Sequence, residues 1–278
     1  MRVAVIGAGS IGKRHLANLR ALGHEAVVID TRSSVRDWAR GEGYETRDVG
    51  TSTQLDAVVI ATPAPSHLYW LQDCVARHLP VLVEKPLGIL ADLSALRELR
   101  PAAPVMVAYN WRFNSEVMAL FARHQHSVIT AHFICQTRMP EWPGRAYGDP
   151  VLECSHDIDL AMMYSQSHTL RGGGSLDGPA GVWLQFDSVI VDLRWNAEPR
   201  REYLILANKP TWFERYAGVP GCRVVDRLEP SQASIDASYQ LELAHFLLAV
   251  EGGPVAPGCT LEEGIAVLDV VRQAKELT

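Results

Sequence analysis

Three short stretches of this sequence combine residue types that could do chemistry together. They are the glycine-rich Gly7-Ala8-Gly9-Ser10-Ile11-Gly12, then Glu84-Lys85-Pro86, and then Glu153-Cys154-Ser155-His156-Asp157-Ile158-Asp159. Closely spaced glycines let a backbone approach a phosphate, a lysine can donate to a substrate oxygen, and a histidine beside a carboxylate exchanges protons near neutral pH. The three motifs therefore predict a phosphate cradle, an oxygen-binding cation and an acid–base group.

The glycine motif predicts a dinucleotide site because it follows a predicted strand, residues 2–6, and opens a predicted helix. Gly7 permits the tight turn, Gly9 lets the backbone approach a pyrophosphate, and Gly12 lets the helix pack close to the strand. Backbone N–H groups of Ser10 and Ile11, at the helix N-terminus, are expected to face the phosphate oxygens. The alternative is a glycine turn without a ligand.

Charged residues follow the second predicted strand, residues 26–29. Asp30 lies eighteen residues after Gly12, close to the spacing at which a carboxylate binds the ribose of a dinucleotide. This carboxylate favours NAD because it would repel the 2′-phosphate of NADP, whereas Arg32 could pair with that phosphate or lie in solvent. Thr31, between them, is included among the cofactor-binding candidates. The sequence thus predicts NAD and leaves NADP open.

The lysine and histidine motifs each allow a chemical and a structural interpretation. Lys85 follows a predicted strand, and strand ends in a parallel sheet face the ligand crevice, although a surface lysine beside a turn proline would look the same. Pro86 could fix an unusual turn, including a cis bond. His156 and Asp159 are three residues apart, so they can meet on one helix face, unless the acids merely stabilise a helix N-terminus.

Metal and thiol chemistry are not favoured. His156 is the one strong metal ligand of its motif, and no second motif supports Cys154 as a nucleophile. The cysteines form no CxxC pair, so neither a zinc site nor a disulfide framework is indicated. A reducing cytoplasm is the simplest compartment for such a chain.

The elements that must position these motifs change character along the chain. Up to residue 110, short apolar strands without polar alternation are separated by helical patterns, which predicts a doubly wound parallel sheet covered by helices. From residue 111 to 278, longer β-type segments at 127–137, 181–195 and 201–207 predict an α+β domain on an open, mostly antiparallel sheet. The glycine-rich residues 171–175 are interpreted as a flexible connection.

Composition excludes several classes of protein. The 278 residues suggest two domains or one large one, and 47% hydrophobic residues exclude a disordered chain. The formal net charge of −6 argues against a general nucleic-acid binder, which needs a positive surface. No apolar run is long enough for a membrane span, and the N-terminus does not resemble a signal peptide, so we expect a cytoplasmic protein.

Taken together and in this order, the motifs resemble the Gfo/Idh/MocA oxidoreductase family, the group of glucose–fructose oxidoreductase and inositol dehydrogenase. The resemblance extends over almost the whole chain. It rests on Gly7-x-Gly9-x-x-Gly12-x-x-His15, Ala61-Thr62-Pro63 with Ser66-His67, Val83-Glu84-Lys85-Pro86-Leu87, Asn110-x-Arg112-Phe113, Ser155-His156-Asp157-Ile158-Asp159-Leu160 and Glu242-Leu243-Ala244-His245-Phe246.

The resemblance implies a Rossmann domain, a second domain on an open sheet, and a site between them. It also implies hydride transfer between nicotinamide C4 and a carbinol or keto carbon of a sugar, cyclitol or sugar derivative. By the same resemblance, Lys85 is expected to bind the reacting hydroxyl group of the substrate. His156 is expected to be the general base in oxidation or the general acid in reduction, and Asp159 is expected to orient the site. A small polyhydroxylated substrate and a homo-oligomer, a dimer or tetramer through the second sheet, are the implied partners.

Further residues are expected to line the site. The resemblance places one set on the cofactor side: Ala61, Thr62, Pro63, His67, Glu84 and Lys85. It places Asn110 and Arg112 on the substrate side. From the residues themselves, Arg138 could bind an anionic group, and Trp142 and Tyr147 could contact a sugar ring or serve as packing anchors. His15 is expected to pack near the cofactor rather than react.

The sequence departs from the family pattern before the catalytic histidine. Many members carry an aspartate four residues before it, where this chain has Leu152, followed by Glu153. This departure leaves two alternatives to a dehydrogenase of CH–OH groups. One is a reductase of imines or other unsaturated bonds on the same scaffold, and the other is a regulatory protein that binds NAD(H) without catalysis.

Overall fold

The computed structural model divides into two compact units. The first comprises Met1–Asn110 and Tyr239–Ile265, and the second comprises Trp111–Ser238 and Ala266–Thr278. The structure describes residues 1–48, 54–124, 129–137, 150–175, 181–187, 189–195, 200–207 and 223–276.

The first unit contains a seven-stranded sheet in the order β13-β6-β5-β4-β1-β2-β3. Its strands are β1 (Arg2–Ile6), β2 (Glu25–Ile29), β3 (Glu45–Arg47), β4 (Ala57–Ile60), β5 (Val81–Glu84), β6 (Val105–Ala108) and β13 (Cys259–Thr260). All neighbours pair in parallel except β13, which runs antiparallel to β6 at the edge. The chain therefore carries the doubly wound sheet that its uninterrupted apolar strands predict.

Helices connect these strands. They are α1 (Ser10–Ala21), α2 (Ser33–Gly41), α3 (His67–Ala76) and α4 (Leu93–Glu98), with short 3-10 turns at Ala64–Ser66 and Leu90–Asp92. Leu16 and Leu19 recur on the inner side of α1 and are fully buried, as the helical spacing of the apolar residues requires. The stretch after each strand is short, so the polar residues of the motifs follow the strand ends directly.

A hydrophobic cluster holds the first unit together. It includes Val3 and Val5 of β1 and Val28 of β2, all fully buried. A late helix, α8 (Gln232–Val250), contributes to the same cluster through Leu243 and Phe246. A segment more than 200 residues from the N-terminus thus completes the core around β1.

The second unit contains a six-stranded sheet in the order β12-β11-β7-β10-β9-β8. Its strands are β7 (Ile129–Thr137), β8 (Gly172–Ser175), β9 (Gly181–Gln185), β10 (Val189–Trp195), β11 (Arg200–Ala207) and β12 (Arg223–Leu228). The pairs are antiparallel except β10 with β7, which is parallel. The expectation of an α+β fold with a mostly antiparallel second sheet is confirmed.

The interpretation of residues 171–175 as a flexible connection is wrong. Residues Gly172–Ser175 form β8, which pairs antiparallel with β9. The glycines leave room for the Trp183 indole, since a Cβ added at Gly174 would lie 3.0 Å from its Nε1. Glycine here serves close packing across the strand pair rather than backbone freedom.

Helices complete the second unit. They are α5 (Ser115–His124), α6 (Pro150–Glu153) and α7 (Ser155–Ser165), while α9 (Leu261–Lys275) closes the chain. The buried Asn114 caps α5, because its Oδ1 accepts from the backbone N–H groups of Glu116 and Val117 at 3.1 Å. Helix α7 packs against β7 and β10 and carries the histidine motif in its first turns.

Among the described helices, none combines the length and the hydrophobicity that a membrane-spanning segment requires.

Candidate active site

The strand register of the first unit places the predicted cofactor residues along one edge of its sheet. Ile6 pairs with Ile29 and Ile60, and Ile60 pairs with Val83. The residue after each of these partners therefore falls into one row. This row contains Asp30, Gly7, Ala61 and Glu84. Parallel strands present their carboxyl ends together at this edge, which is where such sheets bind ligands.

The glycine turn has the backbone geometry that its sequence predicts. Gly7 has φ +87°, a conformation that other residues rarely adopt, and an added Cβ would lie 2.8 Å from the Ala61 carbonyl oxygen. A Cβ at Gly12 would overlap the Gly7 carbonyl oxygen, so Gly12 lets α1 pack onto the turn. A Cβ at Gly9, in contrast, would meet no atom within 4 Å. The backbone at Gly9 is therefore open to a ligand.

The Asp30 carboxylate is buried and accepts four hydrogen bonds. The backbone N–H groups of Ala8 and Arg32 donate to it at 2.9 Å, and the Arg32 guanidinium donates through Nε at 3.0 Å and Nη2 at 2.9 Å. Burial raises the pKa of Asp30, but these bonds outweigh burial and lower it overall. Arg36 adds a bond from Nη1 to the Asp30 carbonyl oxygen at 2.6 Å. Thr31 is exposed beside this network.

His67 joins two loops at the same edge. Its Nε2 lies 2.7 Å from the Thr62 carbonyl oxygen, and its Nδ1 lies 2.9 Å from the Pro86 carbonyl oxygen. Burial lowers the pKa of His67, although its contacts with both carbonyl oxygens act in the opposite direction. Pro63, predicted on the cofactor side, is exposed and precedes the 3-10 turn before α3.

Lys85 stands at the end of β5 between two tightly held residues. The Glu84 carboxylate is buried, accepts from the Lys85 backbone N–H at 3.2 Å and lies 2.7 Å from Nε2 of His15. The Lys85–Pro86 peptide bond is cis, as the sequence allowed. Lys85 itself is partly exposed, while Glu84 and Pro86 are buried. The lysine is thus the residue of this motif that can reach a ligand.

Asn110 and Arg112 lie in the 3-10 turn Asn110–Phe113 after β6, and both are buried. The Arg112 guanidinium donates to the Asp159 carboxylate through Nε at 2.9 Å and Nη2 at 2.7 Å. Two residues that the sequence assigned to separate tasks thus form one buried, bidentate ion pair. Asp159 is held by Arg112 in the first turns of α7.

His156 lies on α7, 7% exposed, beside an aromatic ring. Its imidazole packs edge-on against the Trp111 indole, with ring centroids 6.5 Å apart. The Arg201 guanidinium lies over the same indole, 4.7 Å from the centroid. Trp111 therefore supports the imidazole from one side and is itself held in place by a cation.

Sequence reasoning assigned no role to the residues behind His156. Arg201 of β11 donates to both Asp157 oxygens, with Nη2 at 2.9 Å, and the Tyr203 hydroxyl donates to Asp157 at 3.2 Å. Burial and then the Asp157 charge raise the pKa of Tyr203, so the phenol stays protonated and keeps donating. The available signal was the charged run Arg200-Arg201-Glu202 at the start of a strand that is apolar from Tyr203 onward.

Some predicted residues add little to this geometry. Leu152 and Glu153 lie on α6, and Leu152 is buried. Arg138, Trp142 and Tyr147 lie outside the described residues. Among the described residues, no cluster of three or more His, Cys, Asp or Glu side chains could hold a metal ion.

Comparison with known proteins shows what the first unit is similar to. Residues 1–110 match the family model GFO_IDH_MocA, described as "Oxidoreductase family, NAD-binding Rossmann fold". A relative over a similar stretch is the rhizopine catabolism protein MocA of Rhizobium meliloti, 37% identical over 114 residues. The aligned region is 39% of this chain and 34% of MocA, so the similarity concerns about a third of the length of MocA.

Two further similarities extend over the whole chain. The uncharacterized oxidoreductase YrbE of Bacillus subtilis is 27% identical over 98% of this chain and 92% of its own length. The scyllo-inositol dehydrogenase of Lactobacillus casei, solved with NAD(H) and scyllo-inositol, has a TM-score of 0.76, covering 100% of this chain and 96% of that one. At 18% identity, this last likeness concerns the fold.

The described residues fit an NAD-type dinucleotide. Within the described chain, no side chain caps the N-terminus of α1, so its first N–H groups are available to phosphate oxygens. The space above Gly9 is open, and Asp30 stands at the end of β2, where a ribose would need an acceptor.

Replacing each glycine by alanine should separate ligand binding from folding. Gly9→Ala should leave the free energy of unfolding within about 0.5 kcal/mol, because its Cβ meets no atom, and should weaken NADH binding about tenfold or more by blocking the phosphates. Gly12→Ala should lower the free energy of unfolding by about 3 kcal/mol, because its Cβ overlaps Gly7. Urea titration and NADH fluorescence measure the two effects, and equal NADH affinity in Gly9→Ala and wild type would contradict the cradle.

The Arg112–Asp159 pair should behave as a buried ion pair. Arg112→Met should lower the free energy of unfolding by about 3–5 kcal/mol, because it leaves the Asp159 charge buried without its bidentate partner. The double variant Arg112→Met with Asp159→Leu should recover most of that loss. Urea denaturation of the four proteins in a double-mutant cycle tests this, and additive losses would show that the two side chains do not depend on each other.

Proposed function

We propose that the chain is an NAD-dependent dehydrogenase of CH–OH groups in a cyclitol or sugar, and the match of residues 1–110 to the Gfo/Idh/MocA family model supports this. The observation that carries the proposal is the row of Asp30, Gly7, Ala61 and Glu84, followed at once by Lys85. Support for the substrate class comes from the likeness to an inositol dehydrogenase.

The proposed chemistry needs a proton acceptor and a donor that holds the reacting oxygen. NAD, when bound, supplies a hydride acceptor at nicotinamide C4. In alcohol oxidation, Lys85 binds the substrate hydroxyl oxygen and stabilises the negative charge that develops on it. His156 accepts the hydroxyl proton, and in the reverse direction it returns that proton to the carbonyl oxygen.

The surroundings of His156 suit this role. Trp111 packs against the imidazole, and the two carboxylates that follow His156 in sequence, Asp157 and Asp159, are both bound to arginines. Because each carboxylate is paired with an arginine, it helps to hold the helix in place without adding net negative charge near the imidazole. We therefore propose that Asp159 acts as a positioning group through Arg112.

Removing the acid–base group should reduce turnover without abolishing cofactor binding. His156→Asn should lower kcat about 10²–10⁴-fold, the usual contribution of a general base, and change the NADH dissociation constant less than about threefold. Lys85→Met should lower kcat/KM by a similar factor. The measurement is NAD reduction at 340 nm with a panel of inositols and sugars, beside NADH fluorescence titration.

A matched control is His168→Asn, since His168 is exposed beyond the end of α7. This variant should keep wild-type kcat. Unchanged turnover in His156→Asn, or equal losses in both histidine variants, would contradict the assigned role.

Imine reduction is the second candidate, and it is favoured by the apolar, buried Leu152, which stands where the family resemblance implies an aspartate. Testing keto-sugars and imines with NADH separates the two candidates. Turnover of imines alone would reverse their order, and tight NADH binding without turnover of either class would favour a regulatory protein.

The choice between NAD and NADP depends on Asp30 and Arg32. Asp30 is buried and carries negative charge, which disfavours a 2′-phosphate. Arg32 is 58% exposed and already neutralises that charge through two side-chain bonds. We propose that NAD is preferred and that NADP binding depends on Arg32 turning from Asp30 to the phosphate.

Arg32→Ala should therefore increase the preference for NADH over NADPH. The affinity for NADPH should fall about tenfold or more with the loss of a charge-assisted contact, while the affinity for NADH changes less than about threefold. Arg40→Ala is the control, because Arg40 is an exposed arginine of α2, the helix that follows Arg32, and is paired with Asp37. Fluorescence titration measures both affinities, and tighter binding of NADPH than NADH by wild type would overturn the proposal.

Assembly into a dimer or tetramer through the second sheet, which the family resemblance implies, is part of the same proposal. Light scattering during gel filtration measures it directly.

A further inference from the structure

Two buried histidines contact the residues on either side of Lys85. His15 belongs to α1, and His67 is the first residue of α3. They are 0% and 1% exposed. Groups buried to this extent do not exchange protons readily with a substrate, whereas Lys85 is partly exposed. The two histidines therefore need an explanation other than acid–base catalysis.

The contact of His15 is with the residue before the lysine. Its Nε2 lies 2.7 Å from Oε1 of Glu84, and because a carboxylate only accepts, Nε2 carries the proton. Its Nδ1 is buried with no hydrogen-bond partner among the described residues. The other Glu84 oxygen accepts from the Lys85 backbone N–H at 3.2 Å. One carboxylate thus links α1 to the lysine backbone.

The contact of His67 is with the residue after the lysine. Its two nitrogens lie 2.9 Å from the Pro86 carbonyl oxygen and 2.7 Å from the Thr62 carbonyl oxygen. Whichever nitrogen carries the proton, the ring donates to one loop and stays packed against the other. It thereby connects the segment after β5 to the segment after β4.

We propose that His15 and His67 are positioning residues for Lys85, which fix the backbone before and after this lysine so that its amine meets the substrate oxygen. These contacts are made by the side chains of Glu84 and His67 and by the Lys85 backbone. This inference rests on the role of Lys85 in the proposed function. It adds two residues, neither of which touches the reacting atoms.

Loss of either histidine contact is expected to lower kcat because it displaces Lys85. A displacement of about 1 Å in a positioned group can slow a reaction about 100-fold while the binding of distant parts of a ligand is unchanged. Removing either contact should therefore lower kcat far more than it weakens NADH binding. A histidine that served stability alone would lower the unfolding midpoint and leave kcat of the folded enzyme unchanged.

The variants are His15→Leu and His67→Leu, with His15→Gln as a conservative replacement that keeps an N–H donor for Glu84. The control is His245→Leu, because His245 also contacts a carbonyl oxygen, that of Val255 at 2.8 Å, but lies on α8. Two measurements are made on each protein: hydrogen–deuterium exchange of the peptide that spans residues 83–90, and steady-state turnover with the polyol panel.

We expect exchange in this peptide to accelerate about tenfold or more in both Leu variants, and kcat to fall about 100-fold. NADH affinity should stay within about threefold of wild type. His15→Gln should recover kcat to within about fivefold, and His245→Leu should match wild type in both measurements. If His67→Leu fails to fold, the comparison of His15→Leu with His15→Gln still decides the question for Glu84 and Lys85.

Wild-type exchange together with wild-type kcat in His15→Leu or His67→Leu would overturn the inference for that histidine. An equal loss of kcat in His15→Leu and His15→Gln would also overturn the inference for His15. If wild type turns over no polyol, the proposed function fails, while the exchange measurement still tests whether the two histidines hold the lysine segment.

Discussion

The parallel hydrogen-bond register of the first sheet is the constraint on which the candidate site depends. Because Ile6 pairs with both Ile29 and Ile60, the strands end level with one another, and the residues that follow them stand side by side. A shift of one strand by a single residue would turn Glu84 or Asp30 to the opposite face of the sheet. The apolar strands that set this register therefore also set the order of the polar groups along its edge.

Three buried carboxylates, in both units, are hydrogen-bonded to partners from distant parts of the chain. Glu84 is bound by His15, Asp159 by Arg112, and Asp157 by Arg201 and Tyr203. A buried carboxylate costs several kcal/mol unless it is paired and hydrogen-bonded. Each pair therefore fixes two elements relative to each other within its unit, and the groups proposed to do chemistry, Lys85 and His156, stand next to these fixed points in sequence.

Much of this arrangement could be predicted from sequence, because it follows from local patterns. The glycine spacing after β1 and the apolar runs of the strands indicated the nucleotide turn and the parallel sheet. The pairing of Arg112 with Asp159 could not be predicted, since 47 residues separate them and neither side chain indicates its partner. Likewise Gly172–Ser175 has the composition of a loop, and only the Trp183 ring across the strand pair explains why glycines are needed there.

The choice between NAD and NADP also depends on a contact that the local sequence pattern does not reveal. A sequence motif shows that an aspartate follows β2, but its consequence for NADP depends on charge compensation, which is a property of the folded chain. Asp30 accepts from Arg32 through two side-chain bonds, so the local charge that a 2′-phosphate would meet is that of the pair and not that of the carboxylate alone. Because Arg32 is largely exposed while Asp30 is buried, the arginine is the partner with room to turn, although turning gives up both side-chain bonds to Asp30. We therefore propose that selectivity between NAD and NADP depends on Arg32, the exposed partner of the pair, and that buried Asp30 provides the preference for NAD.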